Sequence, residues 1–272
     1  MIGGSLAAAL KQRGFNAKIS ALVRREETGK RGVELGFIDE YSQDASTLIP
    51  SADVIMLAVP MLSMREQMQV IAPYLDENAI VTDAGSVKTP FIEDAKAVFT
   101  NLHNVVPGHP IAGREKTGVD ASDASLYEDR RVLLTPIAQT SPEAVSVVKA
   151  LWQLAGATVE SLSPEHHDRV LAATSHLPHV LAYALVDTLA THQQAEEIFR
   201  YAAGGFKDFT RIASSDPVMW RDVCLSNRDA ILRSIDDLDS HLQSLRNAIA
   251  GSDAEAIEQT FIRSKAARDE FT

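Results

Sequence analysis

His109 sits between a glycine and a proline in Val105-Val106-Pro107-Gly108-His109-Pro110-Ile111-Ala112-Gly113-Arg114-Glu115-Lys116-Thr117-Gly118. The apolar residues ahead of it read as a strand, which Pro107 and Pro110 stop while holding the chain extended. The pattern sets an imidazole on a rigid turn at a strand end, where it can be aimed at a ligand. Taken alone, it fits a loop histidine with no task equally well. Two more histidines, His176 and His179, lie three apart on nearly one helix face. As metal ligands they lack a third partner and a His-Glu-x-x-His frame, so no metal site is expected. Asp208 and Arg211, also three apart, read either as a surface ion pair or as an anion-binding guanidinium held by its carboxylate.

A second signal lies at the start of the chain. Ile2-Gly3-Gly4-Ser5-Leu6 matches the end of a G-x-G-x-x-G turn, with Gly3 as the third glycine that lets a helix pack closely on a sheet. The first strand and the two glycines that cradle a pyrophosphate are not in this sequence, and a plain helix start is the competing reading. About 20 residues on, where the fingerprint places an acid on the ribose, stand Arg24 and Arg25. Guanidinium groups suit a 2′-phosphate, so the cofactor expectation is NADP or NAD, leaning to NADP or dual use. Two solvated arginines are the alternative.

These groups need elements to position them. From Met1 to about Ser163, short apolar runs alternate with amphipathic stretches. Strands are expected at 18–23, 53–59, 79–83, 102–106 and 131–135, and helices at 6–14, 26–35, 63–74 and 142–155. Strands separated by helices give βαβ units and a mainly parallel sheet, with ligands bound beyond the carboxyl ends of the strands. Arg24, Val59, Pro60, Asp83 and His109 all fall at such ends. The expected fold is a Rossmann-type doubly wound parallel sheet, its first strand missing, over residues 1–163. An all-helical domain follows over residues 164–272. Helices are expected at 166–190, with a kink at Pro178, and at 194–203, 219–227, 229–249 and 253–271. Their apolar faces exceed what a small helical lobe needs for itself, which points to a homodimer.

Composition narrows the class. The 272-residue chain is 45% hydrophobic and 23% charged, ordinary values for a globular protein. A net charge of −11 argues against nucleic acid or an anionic membrane as partner, while leaving room for a small anionic ligand in a local Arg/Lys pocket. The single cysteine, Cys224, excludes an intramolecular disulfide and a cysteine-based zinc cluster, and fits a cytoplasmic setting. The longest apolar run, 54–62, is interrupted by Pro60 and falls short of the roughly 20 residues that span a bilayer.

Five stretches in order resemble the prephenate dehydrogenase family, with its arogenate and cyclohexadienyl relatives. They are Ile2–Leu6, Asp83-Ala84-Gly85-Ser86-Val87-Lys88, Gly108–Gly113, Ser175–His179, and Gly205–Arg211 with Asp216-Pro217 through Trp220. The resemblance implies oxidative decarboxylation of prephenate, or of arogenate, with hydride transfer to NAD(P). It also implies a Rossmann domain followed by a helical dimerisation domain. Within it, His109 is the catalytic histidine that hydrogen-bonds the ring hydroxyl, and Ser86 the residue that orients it. Arg211 is the carboxylate anchor, His179 and Asp208 lie about the same pocket, and Trp220 is supplied by a partner subunit. Gly3, Ser5, Arg24, Arg25, Val59, Pro60 and Asp83 are the candidate cofactor contacts. An imidazole titrating near neutrality suits the proton-acceptor role. Arg114 departs from the family's small polar residue and reads as either an added cation near the substrate or a solvated side chain. A related hydroxy-acid or imino-acid enzyme would use Lys116 or Lys207 as base. A dimeric module that binds no cofactor is the non-enzymatic alternative.

Overall fold

Strand β4, Ile80–Asp83, has all four residues buried and runs between two parallel neighbours, β3 (Val54–Leu57) and β5 (Val105–Val106). The computed structural model describes residues 1–114 and 116–270; Glu115 of the histidine stretch lies outside them. Helices α4 (Met64–Ile71) and α5 (Thr89–Val98) pack together and bury Met64, Met68, Phe91 and Ile92. β1 (Ser20–Leu22) pairs in parallel with β2 (Glu40–Ser42) as a separate sheet, so the place of the missing first strand lies between β1 and β3. α1 (Ile2–Gln12) precedes β1, α2 (Glu26–Glu34) links β1 to β2, and the short α3 (Ala45–Leu48) follows.

The strand expected to end before His109 continues past Pro107 and changes sheets there. β6, Gly108–Pro110, leaves β5 and runs antiparallel to β7 (Arg131–Leu134), with His109 opposite Leu133. His109 therefore sits inside a short strand and not on a turn beyond one. The prolines permit this because each lacks only one donor. The neighbouring bonds, Thr135 N to Pro107 O at 2.9 Å and Ile111 N to Arg131 O at 2.8 Å, still close the ladder. β7 in turn pairs in parallel with β8 (Thr158–Ser161) across α6 (Pro142–Leu154). β2 and β8 carry no apolar run, being short and largely uncovered, and so leave little trace in the sequence.

From Pro164 onward the described residues are helical: α7 (Pro164–Leu171), α8 (Leu177–Ala190), α9 (Ala195–Arg200), α10 (Gly204–Thr210), α11 (Pro217–Ser226), α12 (Arg228–Ala250) and α13 (Ala254–Glu270). The kink expected at Pro178 is taken up upstream, by a π-helical turn at Ala172–His176, and Pro178 falls in the first turn of α8. A proline there has no N–H for the preceding turn, and the wider turn accommodates the freed carbonyl. The Asp216 side chain caps α11 through the amides of Val218 and Met219. Residues divide into two compact units, Met1–Arg228 and Asp229–Thr272, and the site described below belongs wholly to the first. Among the described residues no helix is long and apolar enough to cross a membrane.

The α2–β2 contact shows how tightly the first unit is packed. A Cβ on the buried Gly29 would overlap the Tyr41 ring near its attachment point, where the side chain has least freedom to move. Gly29→Ala should therefore lower stability by about 1–3 kcal/mol despite alanine's better helix propensity. Urea unfolding checks this, and an unchanged or raised midpoint would contradict it.

Candidate active site

Three elements of the first unit converge on His109, which is 9% exposed. α7 brings His167 and Asp168, both buried. The π-helical turn brings His176, and the turn after β4 brings Lys88. His109 Nδ1 lies 2.9 Å from His167 Nε2, and His167 Nδ1 lies 2.8 Å from Asp168 Oδ1. The carboxylate can only accept, so His167 carries its proton on Nδ1 and presents Nε2 as an acceptor. His109 must then donate from Nδ1, which leaves its Nε2 lone pair free. The chain of bonds sets the tautomer of both rings.

Asp168 is braced on every side. Its Oδ1 also accepts the Lys88 amide at 2.8 Å and its Oδ2 the Thr89 amide at 2.8 Å, while its carbonyl accepts Asn227 Nδ2 at 2.8 Å. Burial raises the carboxyl, but the hydrogen bonds from His167, Thr89 and Lys88 outweigh that and hold it below its ordinary value. Burial likewise lowers His167, against the pull of Asp168. His109 lies well below the usual histidine range, first through burial and then through the charges of His167, Lys88 and His176. These effects hold it as a neutral imidazole, where the sequence predicts one titrating near neutrality.

The helical side of the site is aromatic. His179 donates from Nδ1 to the Ser175 carbonyl at 2.9 Å and stacks on Trp220, with ring centroids 3.6 Å apart and planes at 20°. Asn227 Nδ2 donates to His176 Nδ1 at 3.0 Å, so His176 carries its proton on Nε2. That nitrogen and Trp220 Nε1 are buried with no hydrogen-bond partner among the described residues, leaving two N–H groups beside the His179 ring for an acceptor. Burial takes His176 down to about 4. The guanidinium of Arg211, on the turn after α10, adds to the lowering of His179 that burial begins.

The structure rearranges several expectations. Ser86 is half-buried and bonds to no described residue; the group that orients His109 is His167. Trp220 stacks on His179 within this chain. Asp208 is exposed at the end of α10, and Arg211 opens the 3₁₀ turn that follows it. Arg114 is ion-paired to Asp123. Asp83, expected at the cofactor, has no exposed surface: its carboxylate accepts the Gly85 and Gly108 amides and the Lys88 ammonium. Ser5 is also sealed, its hydroxyl accepting the Asp123 amide at 3.0 Å. Lys116 and Lys207 are exposed, whereas a lysine base needs desolvation to lose its proton.

Other residues fit a dinucleotide. A Cβ on Gly3 would stand 3.1 Å from Ala58 Cβ, so α1 begins hard against the carboxyl end of β3, as the third glycine of the fingerprint requires. Ala58 and Pro60 are exposed there and Val59 half-exposed. Arg24 and Arg25 are exposed after β1, with Gln43 Nε2 holding the Arg24 carbonyl at 2.8 Å. Gly4 serves a different contact, since a Cβ on it would overlap the Ser122 hydroxyl.

Two family models match the chain: the nucleotide-binding domain of prephenate dehydrogenase over residues 6–161, and its dimerization domain over 163–263. A cyclohexadienyl dehydrogenase from Zymomonas mobilis is 37% identical over 270 residues, 98% of this chain and 92% of that protein. A crystal structure of prephenate dehydrogenase from A. aeolicus, in complex with hydroxyphenyl propionate and NAD+, superposes with a TM-score of 0.93 at 40% identity. It covers all of this chain and 95% of the other. A Synechocystis arogenate dehydrogenase structure gives 0.84 at 28% identity, over all of this chain and 96% of that one.

The hydrogen-bonded row predicts that Asp168→Asn, which lets the amide donate to His167 Nδ1 and reverses both tautomers, lowers kcat by about 10²-fold or more. Steady-state kinetics at saturating cofactor check this; an unchanged kcat would remove the row from the chemistry.

Proposed function

The chain belongs to the prephenate dehydrogenase family, and we propose that it carries out the oxidative decarboxylation of prephenate or arogenate. The products are 4-hydroxyphenylpyruvate or tyrosine, on the route to tyrosine. The observation that carries this reading is the Asp168–His167–His109 row, which leaves His109 Nε2 unprotonated beside the carboxyl edge of β4.

His109 Nε2 accepts the proton of the ring hydroxyl as that oxygen becomes carbonyl-like. The chemistry a bound nicotinamide would supply is the acceptor for the hydride on the carbon bearing the hydroxyl. The bond to the ring carboxylate then breaks, its electron pair enters the ring, and carbon dioxide leaves. His109 returns its proton to the phenolate oxygen. Nδ1–H of His109 stays on His167 throughout, and the Asp168 carboxylate stabilises the imidazolium formed in passing. Arg211 pairs with a substrate carboxylate, for which a guanidinium fork is better matched than an ammonium. His179 and Trp220 form a wall against the substrate, and the unpartnered N–H groups of His176 and Trp220 supply acceptor-binding donors. Ser86, half-exposed on the turn after β4, would help orient the substrate.

Gly3, Ala58, Val59 and Pro60 would hold the dinucleotide against α1 and β3, and Arg24 and Arg25 would meet the adenosine ribose. Arg24 and Arg25 at the end of β1, where the fingerprint places an acid, support use of NADP as well as NAD. A homodimer is supported by the dimerization-domain match and by exposed apolar faces. Of the residues of α8 only Ala182 is buried, and α13 leaves Phe261 and Ile262 half-exposed beside Ile257. The single cysteine supports a reducing, cytoplasmic setting. We keep residues 1–163 as the cofactor domain and 164–272 as the substrate and dimerisation domain.

His109→Asn should lower kcat by about 10²–10⁴-fold while calorimetric affinity for the dinucleotide holds; turnover near wild type would remove the base from the mechanism. Arg24→Asp should shift the ratio of kcat/KM values for NADP and NAD toward NAD by about tenfold or more. An unchanged ratio would make the arginines solvated side chains. No heat on titrating either dinucleotide into the wild-type protein would favour a module without cofactor.

A further inference from the structure

Lys88 has no exposed surface, and no step above uses it. Its ammonium donates to the Asp83 carboxylate and, at 2.6 Å, to the carbonyl of Gly108, which belongs to the peptide that joins Gly108 to His109. Asp83 Oδ1 accepts the Gly108 amide at 2.9 Å, so the pair grips both polar groups of the residue before the base. The Lys88 amide meanwhile donates to Asp168 Oδ1, the far end of the imidazole row. One residue thus touches the end of β4, the start of β6 and α7.

From this geometry we propose that Lys88 is a positioning residue for the proton-transfer step: it clamps the peptide that carries His109 and sets a fixed positive charge behind the imidazole row, keeping His109 a free base. The inference rests on the reading of His109 as that base.

A fully buried ion pair is a poor source of stability, because desolvating two charges offsets most of their attraction and an apolar pair of similar volume often does as well. A role in placing charge explains it better. Burial pushes Asp83 up and Lys88 down, and each opposes the other's shift. A carboxylate that accepts three N–H donors stays ionised, and its partner with it. The charged and titratable groups facing His109 are Lys88 and Asp83 at the end of β4, His167 and Asp168 on α7, and His176 on the π-helical turn. After burial and His167, the Lys88 cation is the next contributor that holds His109 down. Lys88, and neither Asp83 nor Asp168, is among the groups that act on His109, so the cation is the member of the pair that the imidazole senses.

The test is the pH dependence of kcat/KM for prephenate in the wild-type enzyme and in D83N/K88M, which removes both charges together and leaves no orphaned ion. D83N/K88Q is the companion, since its amide can still hold the Gly108 carbonyl. Because the cation lowers the base, removing it raises the pH below which His109 protonates. The acid limb should move up by about 0.5–1 pH unit in both variants, and kcat on the plateau should fall less in the glutamine variant. An acid limb that stays in place while kcat falls would mark Lys88 as structural only and overturn the proposal. If neither variant folds, K88R decides, since it keeps the cation while changing its reach to the Gly108 carbonyl: the acid limb is expected to stay at its wild-type position while kcat falls, and a limb that moves or a kcat that does not fall overturns the idea. If His109→Asn keeps the wild-type acid limb in its residual activity, the reading of His109 as base fails instead, a distinguishable result.

Discussion

Burying a carboxylate costs several kcal/mol unless donors meet it, and the Asp168 side chain has so many that they decide the rest of the site. Two come from the backbone at Lys88 and Thr89, where the turn after β4 becomes α5, and the third is His167. The amides tie α7 to the α/β half of the unit. The imidazole carries the consequence on to His109. Remove the carboxylate and the first helix of the helical region loses both its anchor on the sheet and the reason for one tautomer.

The chemistry then follows from where elements end. β4 stops at Asp83, whose carboxylate closes the following turn on the Gly85 amide and reaches across to Gly108. Pro107 switches the chain from β5 to β6, which delivers His109 beside that turn and not along the parallel sheet. On the other side, the π-helical turn lets His176 and His179 face the site from one helical run without metal geometry, one fastened to Asn227 and the other to Ser175. Backbone irregularities at Pro107 and at Ala172–His176 thus do the aiming that regular strands and helices could not.

Much of this was legible in the chain because it lies at element ends. The apolar runs at β3 and β4 stand out, and so do the glycines and prolines that stop them; Gly3 was read correctly as a close-packing glycine from spacing alone. His167 and Asp168 were missed, although a signal was present. Pro164, His167, Asp168 and Leu171 recur at the spacing of a buried helical stripe, and all four are buried. Polar residues in that stripe are what a buried network looks like from sequence. Lys88 left no such mark, because a lysine ahead of a Thr-Pro helix start looks solvated until Gly108 is seen above it. Strand and helix ends usually face ligands, which points Asp83 and Ser5 to the cofactor, but close backbone partners seal both. The stacking of Trp220 on His179 joins α11 to α8 and has no counterpart in local spacing.

The central claim is that the Asp168–His167–His109 row sets which nitrogen of His109 is free. The most direct measurement is the ¹⁵N chemical shifts of histidine-labelled protein near pH 7. The account predicts a neutral His109 protonated at Nδ1 with Nε2 bare. A His109 protonated at Nε2, or present as imidazolium, would contradict it.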